Sequence, residues 1–521
     1  MAEKPISGEL LSGLRDALPA QLPLFLPGQR WFGGKARRIL GVEILDAIPI
    51  RGRECEAIVW LARVRYLEGA DEIYSIPLIA PQSTDESARR LQVGDGTEFA
   101  FRDAFSSQEF LAELLNTIAR EGEKVGERGR MRGFRAASLA ELLPSPEAAQ
   151  PKVLIGEQSN SSVIYGERLI LKVFRRLEEG ENPDLEIGRF LTERAGFRHV
   201  PRIGGYLEYR SEQGTAVTQA ILQEFVPNQG DAWRYVVKTL TAFYERAGEL
   251  GERENPKAEG LPEFGGEPMR RVLEEIALLG RRTAELHLAL SSQSDDPAFA
   301  SEPFSMEFQK SLEASFAELT SRTMRLLRSR SRSLPAQYKE KAGEVAAREK
   351  EITQRFQQAL VVPIEAVRTR IHGDYHLGQV LYTGSDFVII DFEGEPARPL
   401  EERRMKQSPL QDVAGMLRSF HYAAFAPLLA PPAGTSISPN RVAKTRRWAE
   451  AWSRCAANRF LAEYYDTSGS ARYLPGDSRA RGKLLEIYLL AKAVYELGYE
   501  LNNRPSWVGI PLEGISRLLA S

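Results

Sequence analysis

Between Ile371 and Glu393 the chain carries an order of residues that few folds accommodate. Ile371-His372-Gly373-Asp374-Tyr375-His376-Leu377-Gly378-Gln379-Val380-Leu381 leads through a Gly384-Ser385-Asp386 turn into Phe387-Val388-Ile389-Ile390-Asp391-Phe392-Glu393. Two short apolar runs joined by a turn predict paired strands. Gln379 then precedes one strand and Asp391 ends the other, so a loop and a neighbouring strand end bring oxygen-bearing side chains together. A polar turn alone explains neither this internal spacing nor the elements found upstream.

That combination suits a hard divalent cation, which prefers oxygen ligands and keeps water and phosphate in its shell. Asp391 and Gln379 are the expected Mg2+ ligands. Asp374 is left to accept a hydroxyl proton as that oxygen attacks a terminal phosphate, a role needing position more than an unusual pKa. His372, Asp374 and Gln379 match the H-x-D-x-x-x-x-N spacing of kinase catalytic loops, with Gln for Asn, and Asp391-Phe392-Glu393 approximates D-F-G.

Upstream elements stand in the order a kinase needs. Lys172, in the strand-like Leu169–Phe174, is expected to contact nucleotide phosphates, and Glu186, fourteen residues later on a helical pattern, to hold it. Gly156 to Ser162 lies between two β segments where a phosphate-covering loop belongs, with Ser159, Asn160 and Ser161 offering side-chain and backbone donors. Gln223–Pro227 is the expected hinge, with backbone groups near Glu224 and Val226 available to an adenine ring. Asp412, near a helix start, is expected to hold the loop through backbone N–H groups, and His376 contacts sugar or phosphate or braces the loop. His287 and His199 are expected in the packed core.

Composition shifts divide the chain into 1–90, a small β-rich unit; 91–150, completing the first lobe; 151–227, a sheet with one helix; and 228–521, mainly helical. In the third, Gly166-Glu167 predicts a two-residue hairpin turn, and the order is β-β-β-α-β. Glu121 to Gly133 is expected as a solvated loop, Glu252 to Pro268 as an exposed loop, and Glu307 to Leu360 as an extended helical hairpin. Asp231 is the expected cap of a helix containing Trp233 to Tyr244. Gly28 to Lys35 has the wrong spacing for a phosphate-binding loop, so Trp31 and Phe32 are assigned to packing or interdomain contact.

Bulk properties exclude several classes. Lys and Arg total 69 against 71 Asp and Glu, so no global positive field attracts nucleic acid. The basic stretch Arg322 to Arg332 is expected as a solvated helix face. Cys55 and Cys455 are too few for a disulfide framework and are expected as free thiols. The absence of a leader or a long apolar run leads to the expectation of a cytoplasmic protein without a membrane span.

The motifs resemble those of the maltokinases, relatives of the aminoglycoside phosphotransferases. The resemblance rests on Gln29–Lys35, Asn182–Leu191, His372–Leu381, and Ile390–Pro396 continuing through Arg398–Leu400, Arg403–Lys406 and Ser408–Phe420. It implies an α+β, bilobal protein-kinase-like fold with an N-terminal cap and a mainly helical C-terminal lobe. It also implies ATP- and Mg2+-dependent phosphorylation of maltose at its anomeric hydroxyl, giving maltose 1-phosphate for α-glucan assembly. A separate trehalose synthase is the implied partner, and a monomer is expected. Glu393, Arg398 and Lys406, beside the metal motif, are candidate sugar contacts together with His376. The rival readings are a kinase of glucosamine, another sugar or an aminoglycoside, an idle kinase-like scaffold, and a nucleic-acid-associated protein.

Overall fold

The computed structural model describes residues 8–52, 56–80, 89–92, 98–143, 149–154, 159–247, 266–292, 295–429 and 439–520. Cys55, Gly156 to Gln158, and most of the Glu252–Pro268 interruption lie outside the described residues. The chain divides into two compact units, one of Met1–Thr192 with Pro201–Val226 and the other of Glu193–Val200 with Pro227–Ser521.

The first unit is built on two antiparallel sheets. Strands β1 (Ile39–Arg51), β2 (Glu56–Tyr66), β3 (Glu72–Ile79), β4 (Arg89–Gln92) and β5 (Glu98–Asp103) form one, in the order β1-β2-β3-β5-β4. Alternation along β2 explains its place: Ile58, Trp60, Ala62 and Val64 pack with the Gly8–Phe25 helix, whereas Ala57, Val59 and Leu61 enter a second core. A strand stretch buried on both faces loses its polar positions, as Ala57–Ala62 of β2 has. Trp31 and Phe32 belong to the first core. The Arg175 guanidinium lies 4.8 Å from the Trp31 ring, so packing accounts for both aromatics.

The second sheet has the order β6-β7-β12-β13-β10-β9-β8, from β6 (Glu123–Val125), β7 (Gly129–Arg135), β8 (Pro151–Val153), β9 (Asn160–Tyr165), β10 (Leu169–Phe174), β12 (Ile203–Ser211) and β13 (Ala216–Glu224). The short β11 (Arg176–Leu177) returns to pair with β3 of the first sheet. The β9–β10 turn has φ of 57° at Gly166 and 55° at Glu167, the paired positive values that match hairpin twist. Across the sheet packs the helix Gln108–Ala119, whose Phe110, Leu111, Leu114, Leu115 and Ile118 form one apolar face.

Two expectations change here. Glu121 to Gly133 is a hairpin, β6–β7, rather than a solvated loop. Its turn is held by Asp46, a buried residue at a bulge in β1, whose carboxylate accepts N–H bonds from Glu127 at 2.8 Å and Arg128 at 3.0 Å. The Tyr209 hydroxyl donates to the same carboxylate at 2.8 Å. The expected β-β-β-α-β order gains two strands, the short β11 before the helix and β12 before β13.

The second unit is mainly helical, with two strand pairs among the described residues, β14 (Glu302–Pro303) with β15 (Val367–Arg368) and β16 (Val380–Tyr382) with β17 (Phe387–Ile389). Asp231 caps its first helix, Ala232–Ala247, accepting the Arg234 N–H at 2.7 Å. The Glu307–Leu360 region forms three helices rather than one hairpin, Met306–Arg330, Ala336–Ala347 and Glu349–Leu360. Pro335, lacking an N–H and restricting the residue before it, stands at the first interruption. In the basic stretch, Arg328 pairs with Glu349 at 2.6 Å and Arg330 donates to the Leu501 carbonyl. No helix among the described residues is long and apolar enough to cross a membrane.

Candidate active site

The loop from His372 to Gln379 is fixed from below by one carboxylate. Asp412, buried in the first turn of the Leu410–Leu429 helix, accepts the N–H of His372 at 2.7 Å and of Gly373 at 2.9 Å. His287 Nε2 meets the same carboxylate at 3.2 Å, while its Nδ1 meets the Tyr464 hydroxyl at 2.9 Å. His287 is thus a hydrogen-bonded core residue. The helix approaches the loop so closely that a Cβ at Gly415 would lie 2.5 Å from the Tyr375 carbonyl. His372 donates from Nε2 to the Ile390 carbonyl at 2.9 Å, tying the loop to the segment just past β17 that carries Asp391.

Asp374 is the end point of this scaffold. Its Oδ1 lies 3.4 Å from Lys492 Nζ, and its Oδ2 lies 3.9 Å from His376 Nε2. Burial alone would raise the Asp374 pKa, but the Lys492 ammonium, with the neighbouring imidazoles of His376 and His372, outweighs it and holds the carboxyl below its ordinary range. For Lys492, burial works downward, and Asp374, Glu496 and Glu395 together leave the ammonium pKa raised. Burial lowers the His376 pKa against the pull of Asp374. The Nδ1 of this histidine accepts the Gly378 N–H at 3.0 Å, so the neutral ring carries its proton on Nε2, on the side of Asp374.

The two expected metal ligands are brought together. Gln379 ends a 3-10 turn before β16 and donates from Nε2 to Asp391 Oδ2 at 2.8 Å. Asp391 has a φ of 68°, a left-handed conformation that aspartate tolerates better than most residues. A carboxylate and an amide in contact form a donor set that fits a hard cation once the amide presents its oxygen.

Other expected contacts fall elsewhere. Lys406 is buried, and its ammonium donates to the Pro297 carbonyl at 2.7 Å and to Glu302 at 2.9 Å. That occupies it with protein partners and argues against a sugar contact. Arg398 is exposed, and its carbonyl accepts from Arg403, which also binds the Glu393 carbonyl at 2.9 Å. Glu393 itself is half-buried. His199 is not in the core: it is 23% exposed, between Asp386 at 3.8 Å and Glu285 at 3.9 Å. Cys455 is a buried free thiol whose pKa burial raises.

In the first unit, Lys172 Nζ lies 3.0 Å from Asp184, a carboxylate that the sequence reading does not single out. Asn182 caps the Pro183–Arg189 helix that carries Asp184, and Glu186 is buried in the same first turn. Ser159 is exposed, Asn160 opens β9, and the Ser161 hydroxyl accepts from Arg175 Nε at 2.8 Å. The Glu224 carboxylate is gripped by Arg202 at 2.9 and 3.2 Å, and its N–H donates to the Arg202 carbonyl. This leaves the side chain of Glu224 committed within the protein. Val226 is the last residue of the unit.

Lys492, like Asp184, is a site residue that sequence reasoning misses. It sits on the Ser478–Asn503 helix, with its ammonium 4.9 Å from the Tyr495 ring centre, and the Tyr495 hydroxyl is hydrogen-bonded to Glu395.

Residues 152–435, more than half of the chain, match the family model described as the phosphotransferase enzyme family. The chain belongs to that family. Residues 25–103 of this phosphotransferase match a second model, the maltokinase N-terminal cap domain, as the resemblance at Gln29–Lys35 leads one to expect. A glucosamine kinase of Streptacidiphilus jiangxiensis is 24% identical over 450 residues, covering 86% of each chain. Another, from Mycolicibacterium smegmatis, is 26% identical over 70% of this chain and 78% of that one. A solved glucosamine kinase in complex with glucosamine, ADP and inorganic phosphate superposes with a TM-score of 0.59, covering 95% of this phosphotransferase and 99% of that chain at 21% identity. This likeness shows the shared fold: kinase-like, with an N-terminal β-sheet cap and a helical C-terminal region.

Proposed function

We propose that this phosphotransferase moves the terminal phosphoryl group of ATP to the anomeric hydroxyl of maltose, giving maltose 1-phosphate. Asp374 takes the hydroxyl proton while the sugar oxygen bonds to phosphorus and the bond to the departing ADP oxygen breaks. The observation that carries the reading is Asp374 itself, ionised beside Lys492 on a loop whose N–H groups Asp412 holds. His376, with a proton on Nε2, and Glu393 are the proposed sugar contacts. Lys172 and the Ser159–Ser161 region are assigned to ATP, with Glu186 buried beside Asp184 as support for the lysine and the backbone near Glu224 and Val226 as the adenine contact. A magnesium ion held by Asp391 and Gln379 would neutralise charge on the phosphate oxygens. A separate trehalose synthase, as a source of maltose, is the proposed functional partner.

Maltose is favoured by the cap match at 25–103. The second reading, glucosamine, is favoured by the names of the relatives at 24% and 26% identity. Incubation with ATP and each of maltose, glucose, glucosamine and an aminoglycoside separates them. Turnover of maltose, with phosphorus on C1 by NMR, is the expected result; turnover of glucosamine alone overturns the choice.

A further inference from the structure

We propose that the helical unit carries a second small-molecule site, for a phosphorylated sugar, in the cavity between the β14–β15 ladder and the Gly469–Gly476 connection. The cavity has a volume of about 630 Å3, within the range of roughly 300–1,000 Å3 usual for ligand pockets. Its wall includes apolar groups of Val367 and Leu474 and three charged residues, Arg472, Arg481 and Glu365. None of these belongs to the loop or strand end that carries Asp374, Gln379 and Asp391.

The charges on this wall differ from those of many arginines in the same unit. Arg271, Arg282, Arg328, Arg348, Arg355, Arg368, Arg418 and Arg504 are all in ion pairs. Among the described residues, neither Arg472 nor Arg481 has a carboxylate partner, and Glu365 has no cationic one. The three therefore stand beyond ion-pair reach of one another around a shared space. Arg481 lies over the Tyr465 ring at 4.9 Å, and its buried Nε meets no acceptor. Arg472 is anchored through its backbone, the carbonyl accepting the Val367 N–H at 3.0 Å.

Two unpaired guanidinium groups suit the bidentate hydrogen bonding of a phosphate. One carboxylate set apart from them suits sugar hydroxyls, and an apolar wall suits the C–H face of a sugar ring. A polyanion would meet repulsion from Glu365, whereas a single phosphate at one end of a polyhydroxyl body satisfies every charged group. The site does not depend on which sugar the kinase phosphorylates.

Calorimetric titration of the full chain with glucose 1-phosphate tests this. Saturable binding is expected, weakened at least about tenfold by Arg472→Ala and by Arg481→Gln, since each removes a charge-assisted contact. Glu365→Gln should weaken it several-fold, and inorganic phosphate should bind at least about tenfold less tightly than the sugar phosphate, with kcat and KM of the kinase reaction unchanged in the three variants. If Arg481→Gln fails to fold, the exposed Arg472 decides. Absence of saturable binding, equal affinity in wild type and Arg472→Ala, equal affinity for inorganic phosphate, or loss of binding only in Asp374→Asn would each overturn the proposal.

Discussion

Lys492 Nζ stands 3.4 Å from Oδ1 of Asp374, across 118 residues of sequence. The pair explains how a mostly buried carboxylate stays ionised, because the lysine field offsets the desolvation that would otherwise protonate it. It also fixes a direction for the proposed base. With one oxygen turned to Lys492, the other faces the neighbourhood of His376.

Removing that cation by Lys492→Met should raise the Asp374 pKa. Because the folded-state value is depressed, activity that needs the ionised carboxylate persists below the ordinary carboxylate range in wild type. In the variant the acid limb of kcat/KM against pH moves upward. The same sign governs stability: the contribution of the pair is present above the unfolded aspartate pKa and is lost as pH falls through the folded value. An unmoved acid limb would show that Lys492 does not tune the base.

Asp374→Asn should lower kcat at least about a hundredfold while ATP still binds. Asp391→Asn should also weaken magnesium-nucleotide binding, yet leave the fold intact, because asparagine tolerates the left-handed backbone found there. Nucleotide titrations with and without magnesium, beside steady-state rates, check both. Normal turnover by Asp374→Asn removes it from the role of base.

Asp412→Ala leaves two loop N–H groups and His287 without their acceptor. A loss of about 3 kcal/mol is expected, measured by chemical denaturation, with kcat falling as the loop loses its position. Asp412→Asn, which keeps an acceptor oxygen, should recover part of both.

Lys406→Met tests whether that lysine touches sugar. Its ammonium is shared by Pro297 and Glu302, and hydrogen bonding from Lys406 depresses the Glu302 pKa. A lower Tm with a sugar KM unchanged within about twofold is the expected outcome. A raised KM at unchanged Tm would restore the sugar role.

What could be read in advance was local. The Gly166-Glu167 turn and the Asp231 cap are decided by residues within a few positions, and the spacing of Asp374, Gln379 and Asp391 places them on a loop and a strand end whatever surrounds them. The β6–β7 hairpin was unreadable because its strands are charged and its turn is held by Asp46, about 80 positions away in the chain. Asp184 and Glu186 share one helical turn, so counting residues from Lys172 does not choose between them. Lys492 had no local signal at all: on a long amphipathic helix, one more lysine looks like solvent exposure. His199 misled for the opposite reason, since neither of its carboxylate neighbours is near it in sequence.

The units are interleaved along the chain: Glu193–Val200 belongs with the helical part, although Pro201–Val226 returns to the sheets. That short strap is fastened by Arg194 to Asp296 and by the His199 carbonyl, which accepts the Ile389 N–H. A gene cut at Val226 would leave the helical fragment without its strap and the Ile389 N–H without its acceptor, so separate expression of the halves calls for a permuted or grafted chain rather than a truncation.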